Sequence, residues 1–238
     1  MSAPRVVVLV DFDGTAAAQN VAETLLERYG GETSYAAGTW MANRESFRKG
    51  EMTLREYQER AFNGVDVTLE EMGEGLKGLC WPREGFQKFV SFCNANEIHL
   101  FIITNGLQFY VDFVLEHAGI EGLPVCAVAV EGPPHQLRYS YPYDTETCWE
   151  WGNCKCRILE ESKAAGDVKT VMIGDGWSDY CAARLADAAF ARATMRQHCD
   201  ANGVPYIPFE DFHDVLAAFR AGIPGVWEPS PADEGSSG

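Results

Sequence analysis

Short apolar runs recur along this chain at residues 5–10, 99–104, 125–130 and 169–174, with shorter ones at 188–191 and 206–209, and segments of helical spacing separate them. Strands and helices in alternation build a parallel sheet covered by helices on both faces. In such sheets ligands gather at the carboxyl ends of the strands. Asp11, Thr104 and Asp175 each stand where one of these runs ends, so residues far apart in sequence are expected to converge.

One stretch departs from the alternation. Between residues 20 and 80 no run reads as a strand, and apolar residues fall at helical spacing, as in Val21/Leu25 and Ala22/Leu26. Thr53-x-x-Glu56 and Thr68-x-x-Glu71 are capping boxes that mark two fresh helix starts. The expected fold class is therefore α/β, a doubly wound, Rossmann-like parallel sheet with a helical cap inserted after the first strand. Residues 1–18 and 81–227 would form the core domain, 19–80 the cap, and 228–238, rich in Pro, Ser, Gly and acid, a disordered tail. A helical insertion at that point can lean over the strand ends as a lid. A second irregular stretch, 131–153, holds three prolines with Tyr139, Tyr141, Tyr143, Trp149 and Trp151 and reads as a long loop or small hairpin.

Composition excludes some partners. A chain of 238 residues with 46% apolar and 23% charged content suits a soluble globular protein. Its formal charge of -16 repels nucleic acid and anionic membranes alike. No apolar stretch approaches the roughly 20 residues that span a bilayer, and no cleavable leader is evident, so the expected location is cytoplasmic. The eight cysteines lie mostly in apolar runs and read as reduced thiols. Cys148, Cys154 and Cys156, with His135, invite a zinc reading, but their spacing is unlike the usual paired-cysteine sites.

The chemistry-bearing residues sit at the strand ends. In Asp11-Phe12-Asp13-Gly14-Thr15, aspartates two apart let one carboxylate act as nucleophile and metal ligand while the other serves as acid and base. Thr104-Asn105-Gly106 could hold a phosphate through the Thr104 hydroxyl and the backbone N–H groups of Asn105 and Gly106. Gly174-Asp175-Gly176-Trp177-Ser178-Asp179 places two more carboxylates past a buried strand. Asp175 could join Asp11 on Mg²⁺, while Asp179 could favour the next helix dipole or orient a metal-bound water. A fixed cation would stabilise a moving phosphoryl group, and Lys155 is better placed for this than Lys163 or Lys169.

Taken together, these four segments resemble the ordered motifs of the haloacid dehalogenase superfamily, and the helical insertion resembles its phosphoserine phosphatase-like group. The resemblance implies that Asp11 is a nucleophile forming an aspartyl-phosphate and that Asp13 protonates the leaving group and then activates water. It further implies that Thr104 and Lys155 hold the phosphoryl group, and that Asp175, Asp11 and the Asp13 carbonyl bind Mg²⁺. Asp13, which the dehalogenase branch lacks, favours phosphoryl transfer. A narrower likeness, to the methylthiopentenyl phosphate phosphatases of methionine salvage, rests on Cys154-Lys155-Cys156, Met172-Ile173-Gly174-Asp175, Phe190-Ala191-Arg192 and the run from Pro208 to Phe212.

The implied substrate is a small phosphorylated metabolite. Phosphoserine phosphatases carry a glutamate nine residues after the nucleophile, where this chain has Asn20. The salvage phosphatases pair an asparagine with an aspartate where this chain has Gln19 and Asn20. Gln19, Asn20, Arg44, Arg48, Arg60 and Trp177 are the candidates for reading the substrate. Hydrolysis of serine phosphate, a phosphomutase, and a phosphometabolite-binding protein without turnover are the alternatives.

Overall fold

Burial on both faces dictates where the first strand lies. In the computed structural model, which describes residues 5–30, 40–164 and 166–229, Val6 to Val10 of β1 (Arg5–Val10) are all buried. Helices α1 (Val21–Tyr29), α2 (Trp40–Arg48), α3 (Leu54–Asn63), α4 (Leu69–Glu74) and α5 (Phe86–Ala95) follow before β2 (His99–Leu107). Then come α6 (Gln108–His117), β3 (Val125–Glu131), β4 (Arg138–Ser140), α7 (Lys155–Ala164), β5 (Val168–Gly174) and α8 (Trp177–Leu185). The described chain closes with β6 (Ala188–Ala191), α9 (Ala193–Asn202), β7 (Ile207–Pro208) and α10 (Phe212–Ala221). Among the described residues the strands form one sheet in the order β4-β3-β2-β1-β5-β6-β7. The pairs β1–β5, β2–β3, β5–β6 and β6–β7 are parallel, and β3–β4 is antiparallel.

The chain divides into two compact units. One comprises Met1–Asp11, Arg83–Phe101 and Lys155–Gly238; the other comprises Phe12–Pro82 and Ile102–Cys154. In the first, β1 runs parallel to β5 with Val10 opposite Ile173, and β5 runs parallel to β6 with Gly174 opposite Ala191. An aromatic core fixes α5 against α10: Phe86 and Phe89 meet Phe212 at 4.8 and 5.6 Å, and Phe89 meets Phe219 at 5.2 Å. Rings of this size supply most of the apolar area such a layer buries.

In the second unit the expected capping boxes are present. Thr53 Oγ1 accepts from the Glu56 N–H at 3.1 Å while the Glu56 carboxylate accepts from the Thr53 N–H at 3.0 Å; Thr68 and Glu71 repeat the pattern. Backbone and hydroxyl hydrogen bonds from the threonines lower the pKa of both glutamates. Helix α3 buries Tyr57, Gln58, Ala61 and Phe62 and offers its other face to the irregular segment. There Arg55 stacks 3.7 Å from the Tyr141 ring, Tyr141 donates to Glu59 at 2.8 Å, and the Leu137 N–H donates to Asn63 Oδ1 at 2.9 Å. His135 bonds the Asn63 carbonyl at 2.8 Å through Nδ1 and Asp66 at 2.6 Å through Nε2. Both partners only accept, so this geometry favours the doubly protonated ring and raises the His135 pKa.

Some boundaries differ from the sequence reading. β2 does not turn after Thr104 but continues to Leu107, with a shift of register against β3 between Ile103 and Leu107. Between those two pairs β2 advances four residues and β3 only two, so the irregularity absorbs the residues a turn was expected to use, and α6 begins at once. None of the eight cysteines forms a disulfide. No helix among the described residues is long and apolar enough to cross a membrane. Of the tail expected to be disordered, residues 230–238 lie outside the described residues.

Candidate active site

Register places the first group of carboxylates. The Asp11 N–H donates to the Ile173 carbonyl at 2.9 Å, extending the β1–β5 ladder by one residue, so Asp11 leaves its strand beside the end of β5. Asp175 follows one residue beyond that end. Asp179 enters from the first turn of α8, where its Oδ2 accepts from the N–H groups of Asp175 at 3.1 Å and Gly176 at 2.9 Å. A Cβ on Gly174 would stand 2.5 Å from the Asp179 carboxyl carbon, so only glycine permits this approach. Carboxylate oxygens of Asp11, Asp175 and Asp179 all lie within 4.8 Å of one another.

Lys155, first residue of α7 and 4% exposed, binds both Asp11 Oδ1 and, at 2.5 Å, Asp179 Oδ1. Burial works against its ammonium, but Asp11 and Asp179 outweigh burial and hold its pKa above the usual lysine value. Burial also drives the Asp11 pKa well up, Asp179 and Asp175 add to this, and Lys155 opposes it. Three clustered acids against one lysine leave an excess of negative charge facing the strand ends. Hard carboxylate oxygens at this separation suit Mg²⁺, whose charge would offset that excess. Among the described residues this is the one such group, and Cys148, Cys154, Cys156 and His135 do not form another. Lys163 and Lys169 instead pair with Asp187 at 3.3 and 3.8 Å.

The second unit positions Asp13 and the Thr104 segment. Gly14, at φ +75°, turns the chain so that Asp13 Oδ1 accepts from the Val21 and Ala22 N–H groups at 2.7 and 3.3 Å. A carboxylate at the start of α1 meets the positive end of the helix. Asp13 Oδ2 accepts from the Tyr110 hydroxyl at 2.8 Å, and a Cβ on Gly106 would fall 2.8 Å from the same oxygen. The Gly106 N–H donates to Thr104 Oγ1 at 2.9 Å, so it is not directed outward as expected; the Thr104 hydroxyl proton is left for another acceptor. Asn153 Nδ2 donates to the Thr104 carbonyl at 3.3 Å.

The model of the haloacid dehalogenase-like hydrolase family matches residues 8–184. The chain belongs to that family. A 2-hydroxy-3-keto-5-methylthiopentenyl-1-phosphate phosphatase of Bacillus mycoides (strain KBAB4) is 26% identical over 90% of this chain and 95% of its own length. A phosphatase of the same name from Bacillus velezensis (strain DSM 23117 / BGSC 10A6 / LMG 26770 / FZB42) is 27% identical over 93% of this chain and 91% of its own. The fold matches that of a phosphoserine phosphatase solved as a phospho-aspartyl intermediate analogue, with a TM-score of 0.65, 15% identity, and coverage of 90% of this chain and 99% of the other.

In this haloacid dehalogenase-like hydrolase several candidate substrate readers already have structural partners. Asn20 caps α1, its Oδ1 accepting from the Glu23 N–H at 2.9 Å, and Gln19 Oε1 accepts from the Trp81 N–H at 3.2 Å. Arg44 pairs with Glu23 at 2.7 Å, while Arg48 and Arg60 are exposed. Trp177, 62% exposed, lies against the His198 ring at 4.6 Å. Sequence reasoning missed Tyr110 on Asp13 and the double engagement of Asp179 with Lys155 and the Asp175 loop. An acid in the first turn of a helix, three residues past a glycine whose N–H it can accept, could have found the second.

Proposed function

We propose that this hydrolase cleaves small phosphate monoesters through an aspartyl-phosphate on Asp11. The observation that carries the reading is the buried Asp11–Lys155–Asp179 cluster with Asp175 beside it. Lys155 opposes the burial that favours a neutral Asp11 carboxyl and holds it in place, so its free oxygen can attack phosphorus as the ester oxygen departs. Asp13, oriented by Tyr110 and the α1 amides, gives a proton to the leaving alcohol and afterwards takes one from the attacking water. Thr104 directs its hydroxyl proton at a phosphoryl oxygen. Mg²⁺ held by Asp11, Asp175 and the Asp13 carbonyl would neutralise charge on the phosphoryl oxygens. Asp179 keeps the Asp175 loop and Lys155 in register.

Helices α1–α4 serve in this reading as the cap that selects substrates, with Arg48 and Arg60 as its exposed contacts, and Trp177, exposed on α8, is a further candidate contact. Asn20, an uncharged residue engaged as a helix cap, offers no carboxylate to a substrate amine, which disfavours serine phosphate. A keto-bearing sugar-like phosphate of the kind named for the Bacillus relatives fits better. Release of inorganic phosphate from p-nitrophenyl phosphate and from a panel of phosphorylated metabolites tests the proposal. Turnover that needs Mg²⁺ and stops with excess chelator supports it; turnover indifferent to chelator, or no phosphate release at all, contradicts it.

A further inference from the structure

The backbone of Asp175 is held from both sides. Its N–H donates to Asp179, as does that of Gly176. Its carbonyl takes two donors from beyond the next strand, the Met195 N–H at 2.8 Å and the Thr194 hydroxyl at 3.1 Å. One residue earlier, the Gly174 carbonyl accepts from the Arg192 N–H at 3.2 Å. Parallel pairing of β5 with β6 sets this up: Gly174 lies opposite Ala191, so the chain leaving β6 passes alongside the Asp175 loop. The Met195 side chain is fully buried and anchors the start of α9. Between these contacts Ala193 adopts φ +45°, a left-handed conformation that residues with a Cβ seldom take. Such strain persists where the surroundings over-determine it, and here the Arg192 and Met195 amides on either side both bond the end of β5.

Thr194 is exposed, and water could satisfy its hydroxyl; instead it donates to a carbonyl that already has a backbone partner. These bonds converge on the residue whose carboxylate lies within 4.8 Å of those of Asp11 and Asp179. Rigidity at that point bears on which cation the acids accept. Mg²⁺ demands near-ideal octahedral geometry at about 2.0–2.1 Å, whereas Ca²⁺ tolerates longer and more flexible coordination. A ligand that cannot shift outward therefore favours the smaller ion. We infer that Thr194 is a positioning residue that, with the Met195 amide, locks the Asp175 loop and so sets the preference of the site for Mg²⁺ over Ca²⁺. The inference rests on the phosphatase reading above, which gives Asp175 to the metal, and adds a selectivity device outside the four motif segments.

Calorimetric titration of chelator-treated, dialysed enzyme with Mg²⁺ and with Ca²⁺ tests this without relying on turnover. Thr194→Val keeps the shape of the side chain and removes the hydroxyl. Its Kd for Mg²⁺ should rise about tenfold or more, the usual effect of deleting an outer partner of a metal ligand. Its Kd for Ca²⁺ should change by less than roughly threefold, because that ion adapts to a looser site. Thr194→Ala should repeat the effect, and Thr194→Ser, which restores the hydroxyl, should return the wild-type preference. Equal weakening of both cations in Thr194→Val and Thr194→Ala, as a merely structural role would give, overturns the inference while leaving the phosphatase reading intact. An unchanged Mg²⁺ affinity in both variants does the same. Wild-type enzyme that takes up no Mg²⁺ overturns both the inference and the metal-dependent reading.

Discussion

The cluster of Asp11, Lys155, Asp175 and Asp179 and the seam between α3 and the 131–153 segment both join acids to bases, at opposite extremes of burial. In the first, the Lys155, Asp11 and Asp179 side chains are 2%, 9% and 0% exposed. In the second, the Arg55, Glu59 and Asp144 side chains keep 28%, 39% and 45% of their surface. Exposed pairs are screened and worth little, while a buried charge that loses its partner has no solvent to fall back on. The difference teaches that similar ion pairs can serve a reaction in one place and merely trim a loop in another.

Substitutions at the two regions should separate widely. Asp11→Asn should lower turnover roughly 10⁴-fold or more, as expected when a nucleophile is removed. Its thermal midpoint by circular dichroism should hold, because the amide keeps the shape of the carboxyl and Asp179 still pairs with Lys155. Lys155→Met should cost about 3–5 kcal/mol in urea unfolding by leaving the carboxylates uncompensated. Adding Asp179→Asn to that variant should recover part of the loss. A Lys155→Met cost below about 1 kcal/mol would erase the contrast between the regions.

At the seam, Tyr141→Phe removes one hydrogen bond to Glu59 and should cost about 1 kcal/mol with little change in turnover of an aryl phosphate. A cost as large as that of Lys155→Met would break the comparison from the other side. His135 should give the smallest effect, and one that depends on pH. The Asn63 carbonyl and Asp66 raise its pKa above 6.5, so its contribution is present below that value and disappears as pH rises through the folded pKa. An NMR titration of the His135 ring should show the raised pKa in wild type, and Asp66→Asn should lower it.

Legibility in the sequence followed the kind of physical constraint. Strand ends were readable because apolar runs stop abruptly, and the family resemblance supplied roles for residues there. The capping boxes were readable too, since a threonine and a glutamate three apart satisfy each other locally. β2 was underestimated because Thr104-Asn105-Gly106 has turn chemistry, yet a bulge carries the strand to Leu107. Asn20, a candidate substrate contact in the family frame, also caps α1, a role its position before an apolar helical run left open. Tyr110 reaching Asp13 joins residues 97 apart and follows no sequence period. Long-range partners of that sort depend on packing that a local pattern does not encode.

The central claim is that Asp11 becomes phosphorylated. Quenching the enzyme during turnover, reducing with borohydride and sequencing peptides by mass spectrometry tests it directly, because an acyl phosphate is reduced to an alcohol while a free carboxylate is not. The account predicts homoserine at position 11, dependent on both substrate and Mg²⁺. An unmodified Asp11 in enzyme that is turning over, or reduction at a different carboxylate, would contradict it.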